Sequence, residues 1–299
     1  MVNWSEAALA TREHLGKVGL WVPGFATGGR SGAGDLARRA EQLGVSALWV
    51  GGGNATAKAL DERAAMIDAT AHLVVATGIA SIWAWPATEL EERSAALDAA
   101  HPGRFLLGLG VAHAPSVQAL GHEYSRPLDK MRAFLDDLDE AAGDDAPQTR
   151  VLAALGPAML ALARDRSAGA HPYLVTPEHT SSARRILGPA PVLAPEQAVV
   201  VNTDAEAARK IARDYLATYL TLSNYLSNFR RLGFEENDFA AGGSDRLVDA
   251  LVPWGDAQTV AERVQAHFDA GADHVCIQPL REDRAMDLAG LADVVQALH

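Results

Sequence analysis

The sequence predicts an α/β chain whose strands close into one (β/α)8 TIM barrel over residues 1–299, with a helical insertion near the C-terminus at about 204–251. Three observations carry that expectation. Eight short apolar segments alternate with segments of helical spacing, and strict alternation favours a parallel sheet. The apolar segments are hydrophobic on both faces, as parallel strands covered on two sides must be. No low-complexity linker divides the 299 residues, a length that one barrel with insertions accommodates. An open doubly wound sheet is the rival. The glycines after the first strand, Gly28, Gly29 and Gly32, lack the frame of a dinucleotide fingerprint.

The elements follow in order. Residues 17–23 read as the first strand and 24–34 as a glycine-rich loop. A helix at 35–43 stops at Gly44, a normal C-terminal glycine. The second strand, 47–50, runs into Gly51, Gly52, Gly53 and Asn54. A helix at 61–73 leads to the third strand at 74–82, and a third helix at 87–100 is closed by His101, Pro102 and Gly103. In the fourth strand Phe105, Leu106 and Leu107 precede two alternate glycines, Gly108 and Gly110, and the strand stops at polar His113. A helix spans about 128–142, a fifth strand 150–154, a helix 157–166, a sixth strand 171–175, a helix 177–187 and a seventh strand 196–202. From 204 to about 231 the pattern is one long helix, with further helical turns to 251. A helix at 259–270 and a strand at 274–279 complete the eighth unit, and 288–298 closes the chain.

Composition narrows the function. Hydrophobic residues make up 48% and charged residues 21%, enough apolar material for a large core. A net charge of −12 argues against nucleic acid or an anionic membrane surface as the main partner. The single cysteine, Cys276, excludes an intrachain disulfide and a multi-cysteine metal cluster. A reducing, cytoplasmic setting is expected, with no signal peptide, and no apolar run reaches the roughly 18 residues of a membrane helix. A small molecule remains as partner.

In a barrel the ligand sits at the C-terminal strand ends. Four of those ends are small: Gly51 to Gly53, Gly78 to Ser81, Gly108 to Ala112, and Ala153 to Pro157. Together they form a floor on which a flat ring can lie against backbone. Gly156-Pro157 opens a helix, so free N–H groups there offer an anion site. His113, at the pocket rim, is the candidate proton donor. His122, Glu123 and Tyr124 form a second polar group, and His171 is expected to face the pocket while His179 starts a helix. No metal-ligand spacing is present. Trp83 and Trp85 would share a face of a continued strand. Tyr215, Tyr219 and Tyr225 lie in a helix that is apolar nearly all round, which suggests a homodimer contact combined with a pocket wall.

Several of these segments resemble the bacterial-luciferase-like flavin and deazaflavin oxidoreductases. Gly78-Ile79-Ala80 falls where that family has a bulge, often with a cis peptide, behind the central ring of its cofactor. Gly110-Val111-Ala112-His113 matches the strand that lines the ring edge and ribityl chain, and Ala154-Leu155-Gly156-Pro157 the phosphate segment. Pro102 to Phe105 is also typical. The resemblance is nearest to actinobacterial members that use coenzyme F-420. It implies an oxidoreductase that moves a hydride between the deazaflavin and a small organic substrate. An FMN-dependent monooxygenase and a non-catalytic flavin- or deazaflavin-binding protein are the alternatives. Two departures stand out. Gly52 and Gly53 occupy the place of an acid or histidine after the second strand, and His113 that of a fourth-strand acid. Proton-transfer roles therefore do not carry over.

Overall fold

A computed structural model describes residues 3–24, 28–52, 56–144 and 147–298. Helix α1 (Trp4–Leu15) precedes β1 (Val18–Pro23), α2 (Gly29–Gln42), β2 (Ala47–Gly51) and α3 (Ala57–Asp68). The expected third strand is split into β3 (Val74–Thr77) and β4 (Ala80–Ser81), with the Gly78–Ile79 peptide between them cis. Next come α4 (Ala87–Ala100), β5 (Phe105–Gly110), a short α5 (Ala114–Ala119) and α6 (Pro127–Ala142). The second half opens with β6 (Arg150–Leu152), α7 (Pro157–Arg166), β7 (Gly169–Ala170), α8 (Pro177–Leu187), β8 (Val192–Leu193) and β9 (Glu196–Val201). The insertion holds α9 (Ala205–Tyr219), α10 (Ser223–Arg231), α11 (Glu236–Phe239) and α12 (Asp245–Leu251). Then follow β10 (Trp254–Gly255), α13 (Ala257–Asp269), β11 (Val275–Pro279) and α14 (Leu288–Ala297).

The strands pair in parallel in the order β9, β11, β1, β2, β3, β5, β6, β7, β8. Only Ala194 and Pro195 separate β8 from β9, yet β8 pairs with β7 and β9 with β11. Residues 192–201 thus join the two ends of the row, as the predicted TIM barrel requires. Register stacks the inward side chains in layers: Trp21, Trp49, Ala76 and Leu106 lie side by side, above Ala47 and Val74. Ala8 and Leu15 of α1 pack into this interior cluster. A second cluster fills the space between strands and outer helices, and a third packs the insertion against Ala198 and Val200.

The structure corrects several boundaries. Of the expected loop at 24–34, residues 29–34 are helical and 25–27 lie outside the described residues. The glycines there let two helices approach, since a Cβ on Gly34 would lie 3.3 Å from the Ala69 methyl. The helix expected at 61–73 ends at Asp68. Beyond it the Glu41 carboxylate accepts from the N–H groups of Ala71, His72 and Leu73 at 2.9, 2.8 and 3.2 Å, which satisfies them without helical bonds. The sixth strand is Gly169–Ala170, not 171–175, because Leu174 adopts φ +56 and gives its N–H to Glu196. The helix expected at 204–231 breaks after Tyr219, where the Thr221 hydroxyl donates to the Thr218 carbonyl. Residues 82–86 turn rather than continue a strand, so Trp83 and Trp85 do not share a face. Trp85 enters the outer core, and Trp83 stays half-buried with its Nε1 donating to the Val111 carbonyl at 2.9 Å.

Candidate active site

The predicted site residues come together as one strip across three strand ends. Ala80 pairs with Leu109 and Ser81 with Gly110, while Ala153 N donates to Leu109 O at 2.8 Å. Gly110 has to lack a side chain: a Cβ would lie 2.7 Å from Ile79 Cδ1 and 3.2 Å from the Ala153 methyl. Ile79 therefore lies over the fourth strand. Beside it, a Cβ on Gly78 would sit 3.0 Å from Trp21 Nε1, a buried N–H with no partner among the described residues. Gly51 is equally constrained, since a Cβ would overlap the Trp21 ring. Gly53 and Asn54 lie outside the described residues. Beyond Gly110 the chain turns at Ala112, with φ +53, and His113 becomes the residue before α5.

The strip ends at α7. Gly156 is its N-terminal flanking residue, no side chain caps it, and Pro157 occupies the first turn. Two elements that the sequence did not connect to this point converge on it. A Cβ on Gly156 would lie 3.5 Å from the Arg231 guanidinium of α10, and Arg231 Nη1 donates to Asn228 Oδ1 at 3.2 Å. The other side of Asn228, its Nδ2, is buried with no partner among the described residues. His179 starts α8 as expected, and its Nε2 donates to the Leu155 carbonyl at 2.9 Å, which fixes the loop before Gly156. Burial, and then the charge of Arg231, lowers the His179 pKa, although the bond to Leu155 opposes this. The end of the strip is thus a helix N-terminus beside a guanidinium whose side-chain hydrogen bond goes to an amide oxygen, not to a carboxylate.

The remaining polar predictions separate. His113 faces a cleft of about 800 Å³ bounded by Trp21, Gly51, Gly52, Tyr215, Tyr219 and Gln278 among others. Its ring packs 5.6 Å from that of Tyr225, its Nδ1 is buried without a partner among the described residues, and burial lowers its pKa. Burial thus favours its neutral form. His171 does not reach the cleft. It is 2% exposed, stacks on Trp49 at 4.1 Å and gives its Nδ1 proton to the Ala194 carbonyl. His122 and Tyr124 pack beside Trp83 rather than forming a second polar centre, and Glu123 is exposed. Tyr215 and Tyr219 do form a cleft wall. Tyr225 is buried against Phe229 in the insertion core. No grouping of His, Cys, Asp and Glu fit for a metal occurs among the described residues. No helix among them is long and apolar enough to cross a membrane.

A parallel barrel with a glycine-lined strip at its C-terminal strand ends, running to a helix N-terminus, defines a small-molecule enzyme scaffold. Residues 24–274 match the luciferase-like monooxygenase family model, and the chain belongs to that family. No curated protein matches the chain in sequence. Among solved structures, it is similar to an F420-dependent secondary alcohol dehydrogenase in complex with an F420-acetone adduct, with a TM-score of 0.72 and 15% identity over 95% of this chain and 99% of that one. It is also similar to the coenzyme F420-dependent tetrahydromethanopterin reductase of Methanopyrus kandleri, with a TM-score of 0.70 and 14% identity over 95% and 98%. A third is the FMN complex of the oxygenating constituent of 3,6-diketocamphane monooxygenase from Pseudomonas putida, with a TM-score of 0.67 and 15% identity over 95% and 98%. At these identities the likeness is one of fold.

Proposed function

We propose that the protein is a deazaflavin-dependent oxidoreductase, a cytoplasmic homodimer that uses coenzyme F420 to exchange a hydride with a small organic substrate. The observation that carries this reading is the continuous strip from Gly78 to Gly156 ending under Arg231. Gly78, Ile79 and Ala80 would back the ring. Gly110, Val111, Ala112 and His113 would line its edge and the adjoining chain, and Ala154, Leu155, Gly156 and Pro157 would hold the phosphate. The residues fit such a group. Backbone free of side chains suits a plane, and the buried, unpartnered atoms Trp21 Nε1, His113 Nδ1 and Asn228 Nδ2 lie along the same path. The bound deazaflavin would supply two electrons and a proton as hydride. Its preference over FMN rests on the resemblance to the actinobacterial F420-using members, since residues 78–80, 102–105 and 110–113 match the flavin and deazaflavin members alike. The test is oxygen uptake: reduced F420 should be oxidised by an organic substrate without it, whereas rapid uptake with reduced FMN would replace this reading by a monooxygenase.

His113 exchanges the accompanying proton in this account. A neutral imidazole with a free Nδ1 takes a proton during substrate oxidation and returns it during reduction. Because burial depresses its pKa, the imidazolium limb of the reductive rate should lie below pH 6.5, the rate falling as pH rises through it. His113→Gln is expected to lower turnover about 100-fold, within the range typical of general acid–base catalysis, and to abolish that limb. Cofactor affinity should change less than about threefold. Unchanged turnover with an unchanged pH profile would reduce His113 to a packing residue.

A smaller effect is expected at Gly110. Gly110→Ala drives Ile79 off the fourth strand into the space assigned to the ring, so F420 affinity should fall about tenfold, read by fluorescence, while the variant stays folded.

A further inference from the structure

The cleft carries a polar device that the hydride-transfer reading does not use. Tyr173 Oη donates to Gln278 Oε1 at 2.8 Å. Its one proton is thus committed, so Tyr219, 2.9 Å away, must donate to Tyr173. Tyr215 also donates to Tyr173, at 2.8 Å, and approaches Gln278 Oε1 at 3.3 Å. Every phenolic proton of the trio therefore points into the network. The network holds the Gln278 amide by its oxygen, and the two N–H groups of Nε2 have no partner among the described residues. Gln278 is 7% exposed, on central strand β11, and lines the cleft together with Tyr215 and Tyr219. Among the described residues no charged side chain is hydrogen-bonded to the trio or to Gln278, and the charged residues that line the same cleft, Asp214, Arg281, Glu282 and Arg284, are all exposed. Glu196, on the neighbouring strand, is fully buried and bonded to Leu174 N.

We infer that Gln278 is a substrate-binding residue whose amide N–H groups grip an uncharged oxygen, so that the substrate class is a neutral ketone or alcohol rather than a carboxylate, phosphate or amine. A carboxylate would meet donors without counter-charge, next to hydroxyl oxygens that turn lone pairs outward. An ammonium would meet the Gln278 donors head-on. A carbonyl or hydroxyl oxygen needs only the hydrogen bond. The inference deepens the proposed function by naming its substrate class. It does not depend on which cofactor binds.

The test uses the whole protein without cofactor and four matched probes: cyclohexanone, cyclohexanol, cyclohexanecarboxylate and cyclohexylammonium, titrated by ligand-observed NMR. The two neutral probes should bind at least tenfold more tightly than the charged ones. Gln278→Glu keeps the oxygen that accepts from Tyr173 but removes the donors, so it should stay folded, lose cyclohexanone binding about tenfold and gain affinity for cyclohexylammonium. Gln278→Leu should lose the ketone without gaining the amine. Equal binding of ketone and carboxylate, unchanged ketone binding in both variants, or no binding of any probe at millimolar concentration would each overturn the inference. Parallel titration of Gln278→Glu with F420 separates the two ideas. Retained cofactor binding with the wrong probe order removes the substrate class alone, whereas wild-type protein that binds neither F420 nor FMN removes the cofactor reading alone.

Discussion

Replacing Gly156 with aspartate is expected to lower cofactor affinity by 100-fold or more while the barrel stays folded. The fold has room for the change. Gly156 has φ −88, which any residue adopts, and a Cβ there meets only the Arg231 guanidinium at 3.5 Å. The new carboxylate would pair with Arg231 and lie over the free N–H groups of α7, so it would fill the anion site from within. A phosphate would then lose charge-assisted hydrogen bonds worth about 1.5–3 kcal/mol each and face a like charge, which together give roughly 10²–10³ in affinity. Thermal stability should be equal or slightly raised. Gly156→Ala, which adds bulk without charge, should lose about tenfold. A folded Gly156→Asp protein that binds its cofactor normally would remove the phosphate from this helix.

Glu196 is expected to make the protein less stable as pH rises from 5 to 8, and Glu196→Gln should abolish that loss. The side chain is fully buried; Oε2 accepts from Leu174 N at 2.9 Å and Oε1 has no partner among the described residues. Burial pushes its pKa up to about 8, against which the Leu174 bond is the weaker influence. The folded state keeps a proton that the unfolded chain releases above about pH 4.3. Stability is therefore fully present below that pH and is lost through pH 8, by about 1.4 kcal/mol per pH unit at most. Between pH 5 and 8 the difference between wild type and variant should change by about 2–4 kcal/mol, measured by denaturant unfolding. The buried histidines act in the opposite direction. Burial depresses His171 and His274 to about 4 and His267 to about 3, so stability is lost as pH falls below 6.5. Both proteins share that acid limb, so it cancels in the comparison. A constant offset between them at every pH would show that Glu196 is ionised in the folded state.

Much of this fold is legible in the sequence because local rules and barrel packing agree. Helices bounded by proline, such as those beginning at Pro157 and Pro177, are read to the residue. The small ends of strands three to five are visible as glycine and alanine patterns, whereas the break at Gly78–Ile79 is expected only from the family resemblance and the residue pattern alone reads as one strand. Failures occur where distant groups override the local pattern. Leu174 leaves the strand conformation because Glu196, 22 residues on, takes its N–H. Residues 71–73 leave the helix for Glu41. His171 looks like a strand-end histidine, but Trp49 stacks on it inside the barrel. Arg231 and Asn228 are not legible as candidate site residues for the same reason. They read as the polar face of a helix, and nothing local shows that α10 folds back over a loop more than 70 residues earlier. The network at Gln278 likewise appears only when Tyr173 and Tyr215, from two other segments, meet its side-chain oxygen and Tyr219 joins them through Tyr173.

The proposed function places a deazaflavin on the strip from Gly78 to Gly156. Parallel fluorescence titration of the purified protein with F420 and with FMN tests it most directly. The account predicts saturable F420 binding at least tenfold tighter than FMN, lost in Gly156→Asp and kept in His113→Gln. Binding of FMN alone, or of neither molecule, would contradict it.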